Sequence, residues 1–230
     1  MTKRTFLPAL LGLVMLPAAV VLRGGWAVVT VDTMPEYAVA GEPFTLQYAV
    51  RQHGMTLLSG LAGSVRATSG GQAATEAAGK LLTAAVSPAS PFKPGRYAAT
   101  IVLPSPGDWT LTIHSGFGGS ESALPPIRAI KRGEAPPPPR SSLDVGRRLF
   151  AAKGCMTCHV HGEVAGSGVI PVGPELTHLR FAPDYLAAFL ADPSIKPRTV
   201  QATMPNLGLA KPEIESLVSF INAQRRVATR

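Results

Sequence analysis

KGCMTCHVHG, residues 153 to 162, places Cys155, Cys158, His159 and His161 within seven positions. Four metal-ligating side chains so close together set three chemistries against one another: a structural metal knuckle, a redox-active dithiol, and an attachment point for a prosthetic group. Both cysteines of the chain lie in this stretch, so no thiol is left to staple any other part of it. What they do is local.

The surroundings discriminate among the three. A structural zinc site uses four tetrahedral donors, usually as two short-spaced pairs separated by a longer loop. Here Cys155 and Cys158 form one pair, His159 is directly adjacent, and no second Cys or His pair follows. A redox dithiol of the thioredoxin kind opens a helix after a strand. In this chain the preceding residues have helical periodicity instead. Ser141 and Asp144 form a capping box, and SLDVGRRLFAAK follows with Val145/Leu149 and Gly146/Phe150 at i,i+4 spacing. Cys-x-x-Cys-His is the attachment sequence of c-type haem. Two thiols add across the vinyl groups on one porphyrin edge, and the next residue presents its imidazole to the iron from the same side.

The chain downstream agrees with that third chemistry. Gly173-Pro174-Glu175-Leu176 follows the motif, and PDYLAAFLADP predicts a helix with Pro183 in its first turn and Leu186, Phe189 and Leu190 on one face. Met204-Pro205 stands forty-five residues beyond His159, immediately before KPEIESLVSFINAQRR. That segment reads as a last helix, with Pro212 in the first turn, Glu213 and Glu215 at its positive end, Arg225 and Arg226 at its negative end, and Ile214, Leu217, Val218 and Ile221 as its buried stripe.

On these motifs, residues 142 to 226 resemble a class I c-type cytochrome. The family pattern is a helix ending in Gly before CxxCH, a Gly-Pro-x-Leu loop, a middle helix, a Met-Pro loop and a C-terminal helix. The resemblance implies that Cys155 and Cys158 bind haem c covalently, that His159 is the proximal iron ligand and Met204 the distal one, with His178 as the substitute for Met204. It also implies that the Pro174 carbonyl orients the other ring nitrogen of His159, and that the first and last helices cross through Gly146 and Phe150 against Phe220. His161 is left for the surface or a haem propionate. An imidazole and a thioether raise the potential and leave no site for oxygen, so the implied activity is one-electron transfer without independent catalysis. Lys153, Lys196, Arg198 and Lys211 are the cations available around the haem edge.

A spacer precedes this half. GEAPPPPRSS, residues 133 to 142, contains four consecutive prolines and favours extended polyproline II geometry. Before it the periodicity is two: Phe44, Leu46, Tyr48 and Val50 alternate with polar or small residues, as do Tyr97, Ala99, Ile101 and Leu103, then Trp109, Leu111 and Ile113. Further strands are expected at Trp26 to Asp32 and Ile127 to Lys131, with turns at Gly41, Gly95 and Gly107. The expected fold is therefore two domains, an all-β antiparallel immunoglobulin-like sandwich over 28 to 132 and, after a linker at 133 to 141, an all-α cytochrome c domain over 142 to 230. The strand pattern, RQHG and GDWTLTI give the first domain a loose resemblance to extracytoplasmic sandwich domains of the FixH and YtkA type. His53, Met55 and His114 are its candidate copper ligands, although it has no Cys for a blue-copper site.

The N-terminus predicts export. MTKR is a positive start, and residues 6 to 22 form an uncharged apolar run of 17 residues. Gly25 and Ala27 suit cleavage after Ala27, while the run is near the lower length for a bilayer span; residues 1 to 27 are a signal peptide or a membrane anchor. Either way the rest of the chain lies outside, on the periplasmic or extracytoplasmic face. The net charge of +8 is spread along the chain without a basic stripe or interleaved aromatics, which excludes a nucleic-acid binder. The expected partners are redox proteins, foremost a membrane respiratory complex. Two other functions fit the same residues: a haem subunit with an open axial site for peroxidase or sensor chemistry, and an accessory subunit docked through the sandwich.

Overall fold

A computed structural model describes residues 25–70, 74–83, 95–164, 169–195 and 204–223. The expected signal peptide or membrane anchor, residues 1 to 27, lies outside these residues except for its last three, as do Lys196, Arg198, Arg225 and Arg226.

Eleven strands build two facing sheets among the described residues. In chain order they are β1 (Ala27–Val31), β2 (Tyr37–Val39), β3 (Pro43–Gln52), β4 (Thr56–Leu57), β5 (Ser64–Thr68), β6 (Thr75–Ala78), β7 (Lys80–Leu81), β8 (Arg96–Val102), β9 (Gly107–His114), β10 (Glu121–Ala123) and β11 (Ile127–Ile130). One sheet runs β1-β3-β8-β7 with β4 on β3, the other β2-β11-β9-β5-β6 with β10 on β9. The alternating residues read from the sequence supply the interior: Leu46, Tyr48 and Val50 face Trp109, Leu111 and Ile113 across a core in which all six are fully buried. Tyr48 and Tyr97 stack with ring centroids 5.5 Å apart. The polar ends of buried aromatics are satisfied where they meet backbone: Tyr97 donates to Leu58 O at 2.9 Å and Trp109 Nε1 to Ser105 O at 3.0 Å.

β1 departs from the alternation. All five residues of AVVTV are buried, including Val28 and Thr30, which point away from the sandwich core. A strand buried on both faces needs a second layer, and the C-terminal segment provides it. Four helices follow the linker: α1 (Ser142–Ala152), α2 (Cys155–Cys158), α3 (Pro183–Ala191) and α4 (Lys211–Ile221). Ser141 caps α1 by accepting from the Asp144 N–H at 3.2 Å. At the far end of α1, Ala152 joins the sandwich core, and Gly154 lies against β1. A Cβ on Gly154 would collide with the Val28 side chain and come 2.5 Å from Val29 O, and its φ of +76° is left-handed. Gly154→Ala is therefore expected to lower stability by about 2 kcal/mol or more, from backbone strain and overpacking together; a shift in the urea midpoint measures it.

The expected fold class needs correction. Among the described residues strand (32%) outweighs helix (22%), so this part of the chain is β-rich and not two halves of opposite class. The sandwich is not wholly antiparallel, because β2 pairs with β11 in parallel register, Tyr37 with Arg128 and Val39 with Ile130. No self-contained all-α cytochrome domain stands beside it. Among the described residues the helices are few and short, and part of the packing of α1 comes from the sandwich. The physical reason is that Ala152 and Gly154, which helical periodicity assigns to one domain, complete the burial of another. Among the described residues no helix is long and apolar enough to cross a membrane.

Candidate functional site

The helical segment positions the Cys-x-x-Cys-His stretch by clamping both of its ends. Upstream, α1 crosses α4 at Gly146, where a Cβ would meet Ser216 O and lie 2.7 Å from Phe220 Cβ; Phe150 and Phe220 meet in tilted contact at 5.6 Å. Leu149, Cys155 and Met204 pack onto the cluster that includes Phe150, Met156, Leu176, Leu186 and Leu217. Downstream, the loop from Val169 to Thr177 folds back on the clip. Ile170 N donates to Thr157 O at 2.8 Å, Gly173 N to Cys158 O at 3.0 Å, and Leu176 N to Val160 O at 2.8 Å. These bonds bring Pro174 to the imidazole: His159 Nδ1 lies 2.9 Å from Pro174 O. A carbonyl only accepts, so Nδ1 carries the proton and Nε2 keeps its lone pair. Gly173 lies flat against the same ring, and a Cβ there would stand 2.5 Å from Nδ1.

The electrostatics keep this site in the form that metal ligation needs. Desolvation holds His159 below the ordinary imidazole range, with the Pro174 hydrogen bond opposing, so the ring is neutral at neutral pH. Desolvation also pushes Cys155 up to about 12, reinforced by Cys158, and raises Cys158 as well. A dithiol oxidoreductase needs a depressed thiol pKa; these two are raised, and both are unbridged. The sign of the linkage is testable. A folded thiol with a raised pKa contributes stability that is complete below the unfolded value near 9 and is lost as pH rises towards 12. Protein with free thiols should thus unfold more easily across that window, and protein whose sulfurs are alkylated through thioethers should not; thermal melts at stepped pH compare them.

Zinc is disfavoured by where His161 goes. It is buried in the α1–α4 crossing, its ring 4.3 Å from Phe220 and 5.5 Å from Phe150, with Nδ1 accepting from Glu163 N. It is buried away from the surface, which corrects the expectation of a surface residue. Among the described residues no three His, Cys, Asp or Glu side chains gather into a metal site. The sandwich candidates stay apart in chemistry too. His53, at φ +51°, leans on Trp26 at 5.7 Å, Met55 is exposed, and His114 Nδ1 lies 3.3 Å from Glu121. His178 is exposed.

The residues present fit a covalently attached haem. Two neutral, unbridged thiols and an imidazole with Nε2 unprotonated lie on one turn, and the thioether of Met204 packs onto the same apolar cluster as Cys155.

Sequence reasoning missed Lys153. Grouped with surface cations, it is buried, its Nζ 2.7 Å from Asp32 O on the sandwich and 2.7 Å from Glu213 Oε1 on α4. Its place directly before Gly154, at the end of an apolar helix face, was the only available signal.

Comparisons with known proteins add little. No family model matches the chain, and no curated protein matches it. Among solved structures, domains 4 and 5 of the S-layer protein SbsC share 18% identity over 45% of this chain, with a TM-score of 0.28. The chain spans about half (51%) of that structure, and the likeness is too slight to argue from.

Proposed function

We propose that the protein is an exported one-electron carrier with a single haem c, attached through Cys155 and Cys158 and ligated by His159 and Met204, which exchanges electrons with a membrane respiratory complex. The observation that carries this reading is the Cys-x-x-Cys-His turn whose imidazole is held at Nδ1 by Pro174 O, 2.9 Å away, which leaves the lone pair on Nε2. When bound, the haem supplies a reversible one-electron couple. The chain's part is to hold the couple still and dry. Cys155 and Cys158 fix its edge, the Pro174 carbonyl sets the imidazole plane and raises its basicity, and Met204 offers a soft thioether that favours the ferrous state. The cluster of Phe150, Met156, Leu176 and Leu217 excludes water from that face. The uncharged run at residues 6 to 22 supports export.

The test is expression in a host with haem-attachment machinery, followed by a denaturing gel stained for haem peroxidase activity and an optical spectrum. The wild type is expected to keep haem on the gel, and Cys155→Ser/Cys158→Ser to lose all of it. A wild type without haem on the gel sinks the reading. The ferric methionine-to-iron charge-transfer band is expected in the wild type and absent in Met204→Ala. If the wild type lacks it, the reading with an open axial site replaces simple electron transfer.

A further inference from the structure

The joint between sandwich and helices holds a set of buried charges that the proposed electron transfer does not use. Arg51, Arg96 and Lys153 are each 7% exposed, an unusual density of cations for an interior. Their partners are fewer. Arg96 Nε pairs with Asp32 at 2.9 Å, Lys153 Nζ pairs with Glu213 at 2.7 Å and takes Asp32 O as its second acceptor, and Arg51 Nη1 has the neutral Thr30 Oγ1 at 3.0 Å. Among the described residues three cations meet two carboxylates here, which leaves a net positive charge in the joint, and Arg51 is the cation held by a neutral oxygen. Burial, followed by repulsion from Arg96 and partly offset by Asp32, lowers Arg51 to about 10. The joint is continuous with the clip, since Lys153 and Gly154 directly precede Cys155 and Gly154 rests on Val28 and Val29.

We infer that the sandwich is a redox-tuning element: its buried Arg51 and Arg96, together with Lys153, place a net positive charge beside the clip and hold the bound haem towards its reduced state. This rests on the haem reading above. A ferric centre carries one more positive charge than a ferrous one, and a buried charge is screened much less than a surface charge.

The experiment is spectroelectrochemical titration of the full-length holoprotein. Arg51→Gln, which keeps an N–H donor for Thr30, should lower the midpoint potential, so that the ratio of reduced to oxidised protein at the wild-type midpoint falls about threefold to tenfold. Glu213→Gln, which removes an anion from a partly exposed position on α4, should raise it. Arg128→Gln, an exposed partner of Asp108 on the other sheet, should leave it unchanged. Opposite shifts from the first two, in proteins with native spectra, support the inference, because general loosening would move both the same way. Shifts of one sign, or none in either, overturn it. Should Arg51→Gln fail to fold, an unmoved potential in Glu213→Gln overturns it alone. A chain that binds no covalent haem fails earlier, on the stained gel, and fails the haem reading itself.

Discussion

Gly146→Val is expected to dismantle the helical segment while leaving the sandwich folded. Position 146 is where α1 touches α4, and the glycine is there because no Cβ fits: it would overlap Ser216 O on the neighbouring backbone and press on Phe220 Cβ. Backbone cannot rotate away as a side-chain tip can, so α4 must move outward. That movement separates Phe220 from Phe150 and opens the slot in which His161 lies against both rings. The loss is of the order of 3 kcal/mol or more, the upper range for overpacking with broken aromatic contacts, and a segment of this size has little reserve. Far-ultraviolet circular dichroism should show helix loss with retained strand signal, and covalent haem yield should fall several-fold. Gly146→Ala is the graded control, with a smaller loss in the same direction.

The parts of the fold legible in the sequence were those governed by local period. Phe44 to Arg51, Arg96 to Leu103 and Asp108 to His114 announce strands because one face is buried and the other wet. The three longer helices show their caps and prolines. The short strands β2, β4, β5, β6, β7 and β10 pass unnoticed because runs of two to five residues barely display a period. The parallel pairing of β2 with β11 joins residues some ninety positions apart, and nothing local encodes it.

The site divides in the same way. The approach of Pro174 to His159 is legible because a Gly-Pro loop follows the motif, whose spacing of Cys155, Cys158 and His159 is the one the proposed haem attachment would demand. His161 and Lys153 were misplaced for one shared reason. A polar residue in a sequence is presumed wet, and burial by a distant element, the Phe150–Phe220 pair in one case and β1 in the other, leaves no mark on the residues beside it. The even burial of AVVTV was the available clue: two covered faces require a covering layer, and the helical segment is that layer.

Lys153→Met should uncouple the two halves. The lysine ammonium binds sandwich and α4 at once, through Asp32 O and Glu213 Oε1, and its side chain is 8% exposed against 24% for Glu213. Methionine keeps the stem's packing and deletes only the charge. Glu213 then retains the Ala210 N–H at 2.9 Å but loses its cation, and the Asp32 carbonyl is left without its donor. Removing one partner of a buried pair costs about 3 to 5 kcal/mol, and the partial exposure of Glu213 places the expected loss near the lower end, about 3 kcal/mol. Chemical denaturation followed by Trp109 fluorescence, which reports the sandwich, and by helical ellipticity should resolve one transition in the wild type and two in the variant. Lys153→Met/Glu213→Gln should recover part of the loss, since the stranded carboxylate is gone, and Glu213→Gln alone should cost less than Lys153→Met. A single unshifted transition in Lys153→Met would show that apolar contact at Ala152 and Gly154 holds the joint unaided, with the lysine a bystander.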